Sequence, residues 1–207
     1  MNKVFVALTG DVVASRKISY RSRFQQKLLK VIEKINKEFK KVLVVKFAIT
    51  VGDEFQGLLN SLETSYEIVK EFHQNLFPVK LTFGVGAGRI STAIRKRTSE
   101  MDGECFVFSR KALEQAKKLK QSVVYITGKK DRDIAVNTII SLIDTIKSNW
   151  KEIHYRRVFR YQCLGTLEEV AKKEKVSKQV ISKMFSQIKY AEVKEAEKNL
   201  KELLSTL

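Results

Sequence analysis

Proline is nearly absent: one residue, Pro78, interrupts a chain of 207. Long helices and strands are therefore permitted almost everywhere, because the residue that fixes φ and removes a backbone donor is missing. Cysteine is scarce as well. Cys105 and Cys163 stand alone without a CxxC partner, and His73 and His154 are the only histidines. A disulfide scaffold and a zinc site are both excluded at this level. No apolar run approaches the roughly 20 residues of a membrane span. The N-terminus enters a strand-like run without a secretory leader, so a cytoplasmic protein with no membrane partner is expected. No Ser-His-Asp or Cys-His grouping supports a hydrolase. The last shortage is of acid: 23 acidic side chains face 40 basic ones, a formal charge of +17.

That imbalance attracts polyanions, meaning nucleic acid, nucleotides or an anionic surface. Residues 151–207 carry 13 basic and 8 acidic side chains, a net of +5, which leaves +12 for residues 1–150. The excess is spread along the chain and is mostly lysine. Charge alone names no partner.

Local patterning supplies more. Val4 to Asp11 is an apolar run of strand length. Phe24, Leu28, Val31, Ile32, Ile35 and Phe39 then recur at about 3.6-residue spacing, which predicts a long amphipathic helix over 20–41. Val42–Val51 and Phe55–Leu59 read as strands around a Gly52-Asp53 hairpin tip, where glycine accepts positive φ. Ser61 or Glu63 is the expected cap of a second helix that runs to Leu76. Val79–Ile90 reads as a strand in which Gly84, Gly86 and Gly88 bare one face, so that another backbone or a ligand can approach. A helix over 106–120 and a strand over 122–127 follow.

The order β-α-β-β-α-β, then α-β, predicts an α+β fold: a ferredoxin-like palm, an antiparallel sheet with helices on one face. The expected divisions are a palm over 1–128, a connecting helix over 129–150 and a small all-α helix-turn-helix domain over 151–207. In such a palm the first strand lies beside the central hairpin. Asp11 and Asp53, 42 positions apart in the chain, then become neighbours at the sheet rim. Paired carboxylates of this kind are hard oxygen ligands for Mg²⁺. Taken singly, each reads as well as a turn residue. Glu54, next along an extended chain, points to the other face and is as well suited to a structural ion pair.

Beyond residue 150, Leu167–Ala171 and Val176–Phe185 read as two short helices around a tight turn, with Thr166 and Ser177 as caps. Lys178, Gln179, Ser182, Lys183 and Gln187 share a face of the second helix and suit the major groove of double-stranded DNA. Arg156, Arg157, Lys172 and Lys173 suit its phosphates. A helical bundle that docks or dimerises is the plainer alternative.

Thr9-Gly10-Asp11, Val51-Gly52-Asp53-Glu54-Phe55, Gly84-Val85-Gly86-Ala87-Gly88 and Asp102-Gly103, followed by a helix bearing Ser109-Arg110, resemble the palm of class III nucleotide cyclases and GGDEF diguanylate cyclases. The whole chain, with GDVVASRK, GDEFQGLL and a terminal helix-turn-helix, is similar to the bacterial SatD family; residues 149–207 resemble region 4 of sigma-70 factors. The cyclase resemblance implies that Asp11 and Asp53 hold Mg²⁺ or Mn²⁺, with Glu54 as a further ligand. It implies a purine nucleotide whose phosphates lie on the backbone from Gly10 and Val12 to Ser15, with Arg16 and Gly52 nearby, and Arg110 as a catalytic cation if turnover occurs. The chain departs from that pattern in two places: a single glycine precedes Asp53 where the pattern has two, and Phe106 stands where the cyclase helix carries an asparagine, which removes a transition-state donor. Three functions follow: a nucleotide-responsive DNA-binding regulator, a two-metal nucleotidyl cyclase or nucleotidyltransferase, or a palm that serves only as a platform for a homodimer.

Overall fold

The computed structural model describes residues 3–206. Five strands form one sheet: β1 (Phe5–Val12), β2 (Leu43–Val51), β3 (Glu54–Leu59), β4 (Leu81–Gly88) and β5 (Val123–Ile126), in the order β2-β3-β1-β4-β5. Each neighbouring pair among the first four is antiparallel, and β5 runs parallel to β4. With α1 (Arg21–Glu38) and α2 (Ser65–Leu76) as crossovers, the first six elements form the expected ferredoxin-like unit. Helices α3 (Glu104–Leu119), α4 (Lys130–Ser148), α5 (Glu152–Leu164), α6 (Leu167–Glu174), α7 (Lys178–Gln187) and α8 (Tyr190–Ser205) follow. No described helix is long and apolar enough to cross a membrane. The chain divides into two compact units. One comprises residues up to Ile140 together with Lys201 onward, the other Ser141–Leu200.

In the first unit, strand alternation sorts side chains onto two faces. Phe47, Phe55 and Phe83 meet Phe72 of α2 on one of them, with ring centroids of Phe55 and Phe72 4.6 Å apart. The other face is glycine-bare along β4, and α3 lies directly on it. A Cβ at Gly84 would stand 2.8 Å from the Leu113 Cα, and one at Gly86 2.8 Å from the Phe108 carbonyl carbon. The expectation of helices on one face is therefore corrected: the bared face of β4 takes a third helix, and β5 extends the sheet in parallel. The glycines admit backbone, not a nucleobase.

On each outer strand one position is paired by an asparagine. Asn36 of α1 accepts from Phe47 N at 2.8 Å and donates to Phe47 O at 2.9 Å. Asn137 of α4 does the same for Tyr125, at 2.8 Å each way. Each side-chain amide imitates a neighbouring strand, so the edge positions are not left open for pairing. Helix α2 starts later than expected, at Ser65. The Ser65 hydroxyl and amide both donate to Leu62 O, at 2.6 and 3.0 Å, and hold Leu62–Ser65 as a turn. Cys105 is fully buried, and burial pushes its thiol up to about 11, as suits a core residue.

The second unit packs around Val158, Val170, Ile181 and Phe185. Thr166 and Ser177 cap α6 and α7, accepting from Glu169 N at 3.2 Å and Val180 N at 3.4 Å. Lys175 turns the chain between those helices at φ 55°, a left-handed position more often held by glycine. Trp150 Nε1 donates to Ile188 O at 2.8 Å.

Candidate functional site

Asp11 lies one residue from the end of β1, opposite Thr82 of β4. On its other side β1 pairs with β3, with Gly10 opposite Phe55. The β2–β3 turn, with Gly52 at φ 63°, thus comes to the same rim and brings Asp53 and Glu54 with it. Alternation puts Thr9 and Asp11 of β1 on the α3 face, together with Glu54 and Gln56 of β3. The apolar face lies behind them.

Beneath the rim is a buried polar chain. Gln56 Nε2 donates to Thr9 Oγ1 at 2.7 Å, Thr9 and Ser109 share a very short hydroxyl contact, and Ser109 Oγ donates to Gly84 O at 3.2 Å. Thr9 and Ser109 are fully buried, so these bonds must be made inside the protein. They join β1, β3 and β4 to α3 and set the helix in register against the sheet.

Two ion pairs stand above that layer. Arg110 forms a bidentate pair with Glu54, Nη1 to Oε2 at 2.5 Å and Nη2 to Oε1 at 2.8 Å. Thr50 Oγ1 donates to the same carboxylate at 3.2 Å. Lys117 Nζ stands 2.8 Å from Asp11 Oδ2. Glu54 is therefore occupied by a guanidinium rather than presented as a ligand, the ion-pair alternative open at the sequence level. Arg110 is committed to Glu54.

Gly10 is placed differently from the expected phosphate cradle. It sits in the ladder between Phe55 and Phe83, and a Cβ there would stand 2.6 Å from the Phe83 ring, so its small size serves the aromatic core. Val12 is buried and paired with Leu81, and the next amide, Val13 N, donates to Lys80 O at 3.0 Å. The backbone leaves the sheet only at Ala14, φ 53°, into a short 3-10 turn over Ser15–Lys17. Ser15 and the exposed Arg16 lie on this turn. The Lys17 side chain lies outside the described ones.

Among the described residues no group of three His, Cys, Asp or Glu is placed to hold a metal. Asp11 and Asp53, both half-buried, nonetheless offer two hard oxygen donors at one rim. That donor set fits Mg²⁺, which typically takes one or two carboxylates and completes its shell with phosphates and water.

The sequence pattern of the SatD family matches residues 5–201. The chain belongs to the SatD family. No curated protein matches it. Among solved structures, the diguanylate cyclase SiaD of Pseudomonas aeruginosa, in complex with its activator SiaC, is 16% identical with a TM-score of 0.46, over 60% of this chain and half (50%) of that one. A bacterial light-regulated adenylyl cyclase is 12% identical with a TM-score of 0.43, over 60% of this chain and 76% of that one. The guanylate cyclase domain of RhGC from Catenaria anguillulae, in complex with GTP, is 12% identical with a TM-score of 0.40, over 55% and 73% respectively.

In this SatD-family chain the residue that sequence reasoning passed over is Lys117, the partner of Asp11. Its spacing was the available signal, since Lys117 follows Arg110 by seven positions and shares its helix face. In the second unit Lys178, Gln179, Ser182, Lys183 and Gln187 are all exposed on α7. Lys178 pairs with Glu168, whose carboxyl is thereby held below its usual range. Arg157 departs from its expected role as a phosphate contact. Its Nε is 2.6 Å from Glu174 Oε2, and both side chains are largely buried, so it clamps α5 to α6 with Arg160 on the same carboxylate. Lys172 and Lys173 are exposed.

Proposed function

We propose that the first unit binds a purine nucleotide together with Mg²⁺ or Mn²⁺, and that Asp11 and Asp53 are the metal ligands. What supports this reading is the β1–β3 pairing, which sets Gly10 opposite Phe55 and so brings the chain at Asp11 and at the Gly52-Asp53 turn to one rim, beside the exposed cations of α3. The metal would neutralise phosphate charge there. Ser15, Arg16 and the turn after Val12 form the adjoining edge on which phosphates would lie, with Gly52 shaping the facing hairpin. Binding is favoured over turnover because Phe106 packs against the core and offers no donor, and because Glu54 already engages Arg110.

Thermal melting with GTP or ATP and Mg²⁺ tests it. A ligand at 100 times its Kd should stabilise the native protein by about 2.7 kcal/mol. The gain should vanish in Asp11→Asn/Asp53→Asn, and an unchanged melt of the natural protein under saturating nucleotide and metal would refute the site. Chromatography of the same samples separates the enzyme reading. Intact nucleotide keeps the first unit a receptor, whereas a cyclic or pyrophosphate-releasing product lost in the double variant makes it a cyclase or nucleotidyltransferase.

For the second unit the proposed partner is double-stranded DNA, with the α6-turn-α7 pair acting as a helix-turn-helix. Its support is the exposed, acid-free face of α7 and the two capped helix starts. A chain of this kind would act as a nucleotide-responsive regulator. Lys183→Ala, at a base-facing position, should weaken DNA retention and relax its sequence preference, whereas Lys172→Ala, at a phosphate-facing one, should flatten the salt dependence of binding by roughly one unit. Unaltered retention in Lys183→Ala would remove α7 from the interface.

A further inference from the structure

The carboxylates at the rim already hold cations of their own. Lys117 neutralises Asp11, and Arg110 neutralises Glu54. Both cations come from α3, and α3 is seated firmly: its backbone lies on Gly84 and Gly86, and Ser109 is bonded to Gly84 O. Rearrangement at the rim is thereby confined to side chains. The partners differ sharply in burial. The side chains of Lys117 and Arg110 are 46% and 52% exposed, against 22% and 10% for Asp11 and Glu54. A lysine or arginine that swings outward regains water, whereas the carboxylate it leaves keeps an uncompensated charge. The cations are the exchangeable members.

Resting on the reading of Asp11 and Asp53 as metal ligands, we infer that Lys117 is an internal counter-ion that opposes a bare divalent metal and admits one only together with a linear polyphosphate. To accept a metal alone, Asp11 must release Lys117 beside the new charge, with no anion to receive it. With a polyphosphate present, the released Lys117 turns to a phosphate oxygen while Arg110 stays on Glu54, and every charge at the rim keeps an opposite neighbour. Metal and polyphosphate therefore bind with positive coupling, and each strengthens the other by the same factor. The recognised chemistry is a metal-complexed chain of phosphates, supplied by a nucleoside triphosphate or by inorganic tripolyphosphate.

Two titrations of the full chain test this. Bare Mn²⁺ binding is followed by the electron paramagnetic resonance of free Mn²⁺, and binding of preformed Mn²⁺·tripolyphosphate or Mn²⁺·GTP is followed by calorimetry. The natural protein should bind either complex at least about tenfold more tightly than the bare ion, within the usual range of coupling between sites. Lys117→Met should bind bare Mn²⁺ about tenfold more tightly than the natural protein and the complexes more weakly. Lys118→Met, the same charge change at the exposed neighbouring position, should leave bare-ion affinity unchanged. Equal affinity of the natural protein for the bare ion and a complex overturns the inference without any variant. So does a Lys118→Met effect as large as that of Lys117→Met. If neither bare metal nor complex binds any form, the metal-site reading itself fails. If only the GTP complex binds, the polyphosphate chain alone is not what is recognised.

Discussion

Gly86→Ala is expected to unfold the first unit under conditions where the natural protein is folded. The added Cβ would fall on Ser109 N and Cys105 O of α3, both backbone atoms, with the Phe108 carbonyl carbon 2.8 Å away. A flexible side chain could step aside. A helix backbone cannot, least of all one joined to β1 through Thr9 and Ser109 and to β4 through Gly84 O. The helix must lift from β4, and Leu113, Ala112 and Ala116, all buried, lose contact with the sheet. Overpacking usually costs about 1–3 kcal/mol; here the cost should reach the top of that range or exceed it. Chemical denaturation monitored by circular dichroism reads the effect directly. Gly52→Asn is the comparison, since position 52 has φ 63° and a Cβ added there would meet no atom within 4 Å, and asparagine tolerates that conformation. A loss for Gly86→Ala no larger than that for Gly52→Asn would show that α3 does not sit on β4.

The second large effect is expected from Arg110→Met. Glu54 is a carboxylate at 10% side-chain exposure whose two oxygens each receive a guanidinium nitrogen. Among the described residues, the partner that remains without Arg110 is the Thr50 hydroxyl at 3.2 Å. Stripping the partner from a buried charge costs about 3–5 kcal/mol, and the lower end applies because Arg110 is itself half-exposed. Glu54→Leu/Arg110→Met should recover most of that loss, since replacing both members removes the stranded charge. The double-mutant cycle, by denaturant midpoint, measures the coupling. If Arg110→Met costs less than about 0.5 kcal/mol, as an ordinary surface substitution would, the pair is a solvated one and the rim is wetter than these distances imply.

Much of the fold could be read from the chain because local pattern and tertiary demand agree. The apolar run at β1, the helical spacing of Phe24, Leu28 and Val31, the glycine at the hairpin tip and the Thr166 and Ser177 caps each reflect a rule that acts within a few residues. The β-α-β-β-α-β order then implied the four antiparallel strands. Less was legible where two distant segments decide the outcome together. Gly84, Gly86 and Gly88 announced a close approach without naming what approaches, and α3 is 20 or so positions further along. Gly10 looked like part of a phosphate turn; its true constraint is the Phe55 and Phe83 rings on neighbouring strands. Arg157 looked like a surface cation until Glu174 closed on it.

At the rim the division is the same. By itself the sequence determined that carboxylates stand at the ends of β1 and the β2–β3 hairpin, because strand length and turn chemistry are local properties. It determined the basic excess and the exposed α7 face in the same way. Only the tertiary structure decided which charges meet. Glu54 pairs with Arg110 across 56 positions and Asp11 with Lys117 across 106. Those distances are closed by helix α3 lying on bare glycine. Ion pairing depends on separation in space, which no periodicity along the chain encodes.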